Sequence, residues 1–190
     1  MLPAADNSRI INAVIQEARE KGIQRLTISG VAKRCNCSRQ TLYYHHLGGM
    51  DRIIDYMVRE DRDGFTDVPD GAPYWKRETY RIFRSLNARD EFFKEVYGTK
   101  YRQTLLASVK NHVRKDIVPD FLANHRRGDN PKEWDTLADI LTHLFTGMFE
   151  ECIRSDEAAD PDEMMGVVER LCGASMHRMI DDYLAFSGAN

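Results

Sequence analysis

Three groups of residues in this 190-residue chain have types and spacings that could do chemistry. Cys35 and Cys37 lie close to His45 and His46, a conceivable metal set. His112, His143 and His177 stand further along, with Cys152 and Cys172. Within the span of the first set, Ser38, Arg39, Gln40, Thr41, Tyr43, Tyr44 and His45 form a dense polar run. The first set separates its cysteines by a single residue, whereas zinc sites favour two to four between paired ligands. Thiols at such positions read as small buried hydrophobes. The second set holds no local pair at ligand spacing and reads as core and interface, so no metal and no cofactor is expected. The third set suits groove reading: Arg meets guanine edges, Gln meets adenine, and Thr and Tyr reach phosphate oxygens or a thymine methyl. Nothing resembles a nucleophile elbow, and Gly48-Gly49 is not followed by the Lys and Ser/Thr of a phosphate loop. Glu150-Glu151 and Asp181-Asp182 are sequence neighbours, so each pair splits between helix faces and reads as solvated surface. No enzyme is expected.

The elements around the polar run position it. Ile10, Val14 and Ala18 fall on one helical face with Ile11 and Ile15 beside them, and Gly22 ends that helix. Thr27 can cap a second short helix running to Cys35, and Ser38 a third through Tyr44. Val31, Ala32, Cys35, Cys37 and Leu42 supply the small or apolar groups needed where such helices cross. Asn36 sits at the turn, where a left-handed backbone is wanted. A fourth helix runs from about Met50 to Arg62, with Ile53, Ile54, Met57 and Val58 apolar. This is a helix-turn-helix pattern, expected as a DNA-binding domain over residues 1–62.

Charge follows the same division. The net charge of −3 argues against a nucleic-acid partner. Its distribution argues for one, since residues 1–60 carry nine Lys/Arg and six Asp/Glu and the remainder is acidic. No apolar run is long enough to span a membrane, and the start Met1-Leu-Pro-Ala-Ala-Asp lacks the pattern of a signal peptide. A cytoplasmic protein with reduced cysteines is expected, the four being too few and too irregular for a disulfide framework.

Residues 63–73 hold the strongest turn cluster, and a second, all-helical domain is expected over 74–190. Helices are expected over 74–88, 91–97, 99 to about 118 (ending before Pro119), 131–155 and 161–186, about nine in the whole chain. Asn130-Pro131 and Asp160-Pro161 both start helices with an N-cap, a proline at the first position and a Glu two residues later. In the last two helices Trp134, Leu137, Leu141, Leu144 and Met148, with Met165, Val168, Cys172, Met176 and Met179, make apolar stripes wider than one face. That width predicts a homodimer through a four-helix interface. Phe83, Phe92, Phe93, Tyr97, Tyr101, Phe145 and Phe149 are candidates to line a ligand cavity.

Residues 8–58 resemble the N-terminal domain of the TetR family of one-component transcriptional regulators. The residues that carry the likeness are Thr27, Val31-Ala32, Cys37-Ser38, Thr41-Leu42-Tyr43-Tyr44-His45, Gly48 and the apolar fourth helix. The second half resembles the family in its architecture, and Phe92-Phe93, Tyr97, Tyr101, Phe145 and Gly147 resemble one of its branches. The resemblance implies a dimer on a pseudo-palindromic double-stranded operator, released or engaged by a small effector. It places Thr27 and Ser29 on phosphates, Arg39, Gln40, Thr41 and Tyr43 on bases, and Tyr44 and His45 near the backbone, with Ser38 opening the recognition helix. Two positions depart from the family pattern: His46 replaces an aromatic, and Gly49 replaces a phosphate-contacting Lys. Losing that contact should lower the salt slope by about one unit. Gly30 stands where a more helix-favouring residue is usual, at a cost of roughly 1 kcal/mol. The alternative reading is a dimeric sensor or adaptor whose weakened head no longer binds DNA.

Overall fold

The computed structural model describes residues 7–44, 47–59, 71–123, 125, 131–155, 157 and 160–187. The elements are α1 (Asn7–Lys21), a 3-10 turn (Ile23–Arg25), α2 (Ile28–Arg34), α3 (Arg39–Tyr44), α4 (Met50–Arg59), α5 (Tyr74–Ala88), α6 (Asp90–Tyr97) and α7 (Arg102–His112). A π-helical turn (Val113–Ile117) follows, then α8 (Val118–Leu122), α9 (Pro131–Arg154), α10 (Pro161–Leu171) and α11 (Ala174–Ser187). The class is all-α, and no strand occurs among the described residues.

The chain divides into two compact units, Met1–Thr66 with Ala88–Val109, and Asp67–Asn87 with Lys110–Asn190. The turn cluster that marks the expected boundary lies largely outside the described residues. The first unit takes in more than the head, because α6 and most of α7 join it. Its core is built on Ile10, Ile11 and Val14 of α1, Val31 of α2, Leu42 of α3 and Ile53, Ile54 and Met57 of α4, all essentially without solvent exposure. Each such side chain contributes about 2 kcal/mol by burial. Phe92, Phe93 and Val96 of α6 are buried in the same unit. Polar contacts fix the attachment: Ile23 N–H donates to Glu95 (2.8 Å), Thr104 to Asp51 (3.2 Å) and Ser108 to Asp55 (2.7 Å).

In the second unit the core is aromatic. Trp75 meets Phe121 and Phe145 edge-on at 5.0 and 6.3 Å between ring centroids, and Phe83 meets Phe149 at 4.9 Å. Beside it lies a buried polar cluster. Glu78 accepts from Arg81 (2.8 Å) and pairs with His112 (2.6 Å), whose other ring nitrogen lies 3.0 Å from Asp116. A charge is tolerated there only because each partner is neutralised by another.

Two helix ends differ from the sequence expectation. The helix expected to stop before Pro119 continues through it to Leu122. In α geometry a proline ring collides with the carbonyl four residues back. Here the π turn Val113–Ile117 widens the helix just ahead of Pro119, and the flanking His112 and Val118 keep helical dihedrals. Conversely, the single last helix is broken into α10 and α11. At the break a Cβ on Gly173 would lie 2.5 Å from the Glu169 carbonyl oxygen, so only glycine permits that corner. The Asp160 cap is formed as expected, its carboxylate accepting from Asp162 N–H at 2.9 Å.

Candidate nucleic-acid interface

The α2–turn–α3 segment is assembled by short-range chemistry. Thr27 caps α2 by accepting from Gly30 N–H at 3.1 Å. Asn36 takes the left-handed conformation at the turn, with φ of 49°. Ser38 then caps α3 by accepting from Thr41 N–H at 3.0 Å, and its hydroxyl lies 2.9 Å from that of Thr41. Those two side chains are therefore held in place before any ligand arrives. The apolar side of the motif is shut: Val31 and Leu42 have no exposure, and Ala32, Cys35 and Leu47 very little.

The opposite side is open. Thr27, Ser29, Ser38, Arg39 and Gln40 are exposed and Thr41 is half-buried. Tyr43 and Tyr44 are 53% and 84% exposed, which is far from the usual fate of a tyrosine. His45 and His46 lie outside the described residues. Gly49, at the entry to α4, has nothing within 4 Å of where a Cβ would stand.

Behind this surface sits an ionic cluster that sequence reasoning missed. Glu17 of α1 is almost fully buried and pairs with Lys21 (2.5 Å) and Arg34 (2.7 Å). Arg34 also binds Glu20 through both terminal nitrogens. Burial alone would raise the Glu17 pKa, but hydrogen bonds from Lys21 and Arg34 and their charges outweigh it and leave it lowered. The same carboxylate occupies the space of the missing side chain at Gly30, where a Cβ would fall 1.8 Å from Glu17 Oε1. Gly30 is thus a packing requirement, and its weak helix propensity is the cost of seating that acid. The Glu17/Lys21 spacing of four was visible in the sequence, but the partner at Arg34 was not.

Of the expected cavity residues, Phe92, Phe93, Tyr97 and Tyr101 fall in the first unit and Phe83, Phe145 and Phe149 in the second. Phe92 and Phe93 pack on each other with centroids 5.4 Å apart. All five phenylalanines are buried, while Tyr97 and Tyr101 are half-buried under Arg102 and Lys100 respectively. In the second unit a cleft of about 440 Å³ opens elsewhere, among residues that include Lys76, Tyr80, Asp162, Met165 and Glu169. Of the expected dimer residues, Leu141, Val168 and Cys172 are buried within the protomer. Trp134, Leu137, Leu144, Met148, Met165 and Met176 are half-buried, and Met179 is 69% exposed. Ile140, which widens the apolar stripe of α9, is 60% exposed.

None of the four cysteines is in a disulfide. Burial pushes the Cys152 and Cys172 thiols up to about 11, so neither is an activated thiolate. No group of three or more His, Cys, Asp or Glu among the described residues could hold a metal ion. No helix among them is long and apolar enough to cross a membrane.

An all-helical chain whose N-terminal helix-turn-helix leads into a helical C-terminal region defines a class of transcriptional regulator. A family model described as a transcriptional regulator C-terminal region of the TetR type matches residues 74–172, more than half of the chain. Among solved structures, the chain is similar to a TetR transcriptional regulator from Rhodococcus sp. RHA1, at 19% identity and TM-score 0.50, covering 87% of this chain and 93% of that one. It also aligns with another transcriptional regulator from Rhodococcus sp. RHA1 (18% identity, 88% and 94% covered, TM-score 0.41). A third alignment is with NalD, the secondary repressor of the MexAB-OprM multidrug efflux pump in Pseudomonas aeruginosa (15%, 87% and 93%, 0.40). No curated protein matches the chain. The chain belongs to the TetR family of transcriptional regulators.

Proposed function

We propose that this regulator is a ligand-responsive repressor that binds a pseudo-palindromic operator as a homodimer in the cytoplasm. The observation that carries the reading is the polarity of α3. Its apolar residue Leu42 is fully buried, while Arg39, Gln40, Tyr43 and Tyr44 are exposed to solvent. In this reading Arg39, Gln40, Thr41 and Tyr43 meet base edges. Thr27, Ser29, Ser38, Tyr44 and His45 fix the register on phosphates.

Two recognition helices must be separated by about one turn of DNA, 34–36 Å, which a dimer supplies. The half-buried and exposed apolar residues of α9–α11 (Trp134, Leu137, Leu144, Met148, Met165, Met176 and Met179) would form the partner face. Leu141, Val168 and Cys172 close the core beneath them. A small effector bound in the helical region would act by its differential affinity for two spacings of the heads.

The test is binding of purified protein to duplex DNA from upstream of its own coding sequence, followed by gel shift and fluorescence anisotropy as salt is raised. A shift that weakens steeply with salt is expected. No shift at low salt across operator-like duplexes would overturn the reading in favour of a dimeric adaptor.

A further inference from the structure

The head carries nine basic residues before position 60, and the structure separates those already spent on the protein from those available to a polyanion. Arg9 donates to the Cys35 carbonyl at 2.6 Å. Arg19 pairs with Glu91 (3.1 Å), Lys21 with Glu17, Arg34 with Glu17 and Glu20, and Arg59 with Asp55 (3.8 Å). The side chains of Arg25, Lys33, Arg39 and Arg52 form no ion pair or hydrogen bond among the described residues, and all four residues are exposed. The described acids of this stretch are engaged in turn: Glu17 and Glu20 by α1 and α2 cations, Asp51 by Thr104 and Asp55 by Ser108 and Arg59. A cation already paired inside the protein must break that pair before it can neutralise a phosphate, so it displaces few counterions. An unpaired one does so without loss.

The four residues have a common placement. Arg39 opens α3 itself. Arg25 closes the 3-10 turn just ahead of the Thr27 cap of α2. Lys33 lies four residues after the exposed Ser29, on the same stripe of α2 and opposite buried Val31 and Ala32. Arg52 lies in the first turn of α4, three residues after Gly49, and opposite buried Ile53 and Ile54. Lys33 and Arg52 therefore stand near the ends of the two helices that flank α3 in sequence, and Arg25 stands just ahead of the first of them.

We infer that Arg25, Lys33 and Arg52 are phosphate-contacting residues of the head and supply the electrostatic clamp that Gly49 does not. Arg39 is left to the bases, and the five paired basic residues, Arg9, Arg19, Lys21, Arg34 and Arg59, are structural. The inference rests on the DNA-binding reading, which a separate outcome of the experiment addresses.

Phosphate contacts carry no sequence information, so the probe is a random-sequence duplex and no operator is needed. Fluorescence anisotropy gives the slope of log Kobs against log salt for the wild-type chain and for Arg25→Gln, Lys33→Gln, Arg52→Gln and Arg19→Gln. Removal of each of the first three should lower the slope by about 0.9 per bound protomer. Arg19→Gln, which opens only an exposed ion pair, should leave it at the wild-type value. Circular dichroism verifies that the variants keep their helices. A binding wild-type chain whose slope survives all three substitutions overturns the inference, as does an equal loss in Arg19→Gln. A wild-type chain that binds no duplex at low salt overturns the DNA-binding reading, and this inference with it.

Discussion

Gly30 shows how a single residue can be misjudged when its surroundings are unknown. By helix propensity alone, Gly30→Ala in α2 should stabilise by about 1 kcal/mol. The structure reverses the sign, since the new Cβ would fall 1.8 Å from Glu17 Oε1. The acid would have to leave its buried seat between Lys21 and Arg34, or α2 would have to move. Gly30→Ala should therefore lower stability by about 1–3 kcal/mol in urea unfolding. Gly49 behaves in the opposite way. No atom lies within 4 Å of its Cβ position, so Gly49→Lys should fold normally. It should steepen the salt dependence of DNA binding by about one unit, measured by anisotropy. A destabilised Gly49→Lys would show that the α4 entry is more constrained than its open surroundings indicate.

Among elements, the pairing of α5 with the end of α7 has a pH signature. Burial by itself would raise the Glu78 pKa, but hydrogen bonds from His112 and Arg81 and their charges dominate and hold it at about 2, against an ordinary 4.5. A carboxylate with a depressed native pKa stabilises fully above its unfolded value. That stability is lost as pH falls from 4.5 towards 2. At about 1.4 kcal/mol per unit it is on the order of 3 kcal/mol. Urea midpoints measured downward from neutral pH should fall across this window, and Glu78→Gln should flatten that limb while lowering the neutral-pH midpoint.

Helix identities were legible in the sequence because they follow from local chemistry. Gly22, Thr27, Asn36, Ser38 and Asp160 each act on backbone groups within a few residues, and each takes the cap or turn role its type suggests. The stop expected before Pro119 and the unbroken helix expected over 161–186 failed for a common reason. A proline does not announce the π turn that accommodates it, and a glycine late in an apolar stripe looks like a tolerated one until the Glu169 carbonyl is placed against it. The ionic cluster around Arg34 was illegible because it joins residues far apart in sequence.

At the scale of the whole molecule, the exposed apolar residues supply the test of assembly. Met179 and Ile140 are 69% and 60% exposed, on α11 and α9. Sedimentation of the wild-type chain should give twice the 22.0 kDa protomer mass. Met179→Glu and Ile140→Lys should shift it towards the protomer and weaken duplex binding with unchanged helix content. A wild-type chain that sediments as a protomer at micromolar concentration would falsify the dimer.

The sequence by itself determined the class of fold, the helix-turn-helix at the N-terminus and the side chains that α3 turns outward. Those features depend on period, caps and turn residues, which act over a few positions. Only the tertiary structure decided which cations of the head remain unpaired, why Gly30 must be glycine and which apolar residues are closed into the protomer. These depend on what lies across a gap from each side chain. A charge count cannot tell Arg34, locked between two glutamates, from Arg52, which stands unpaired in solvent.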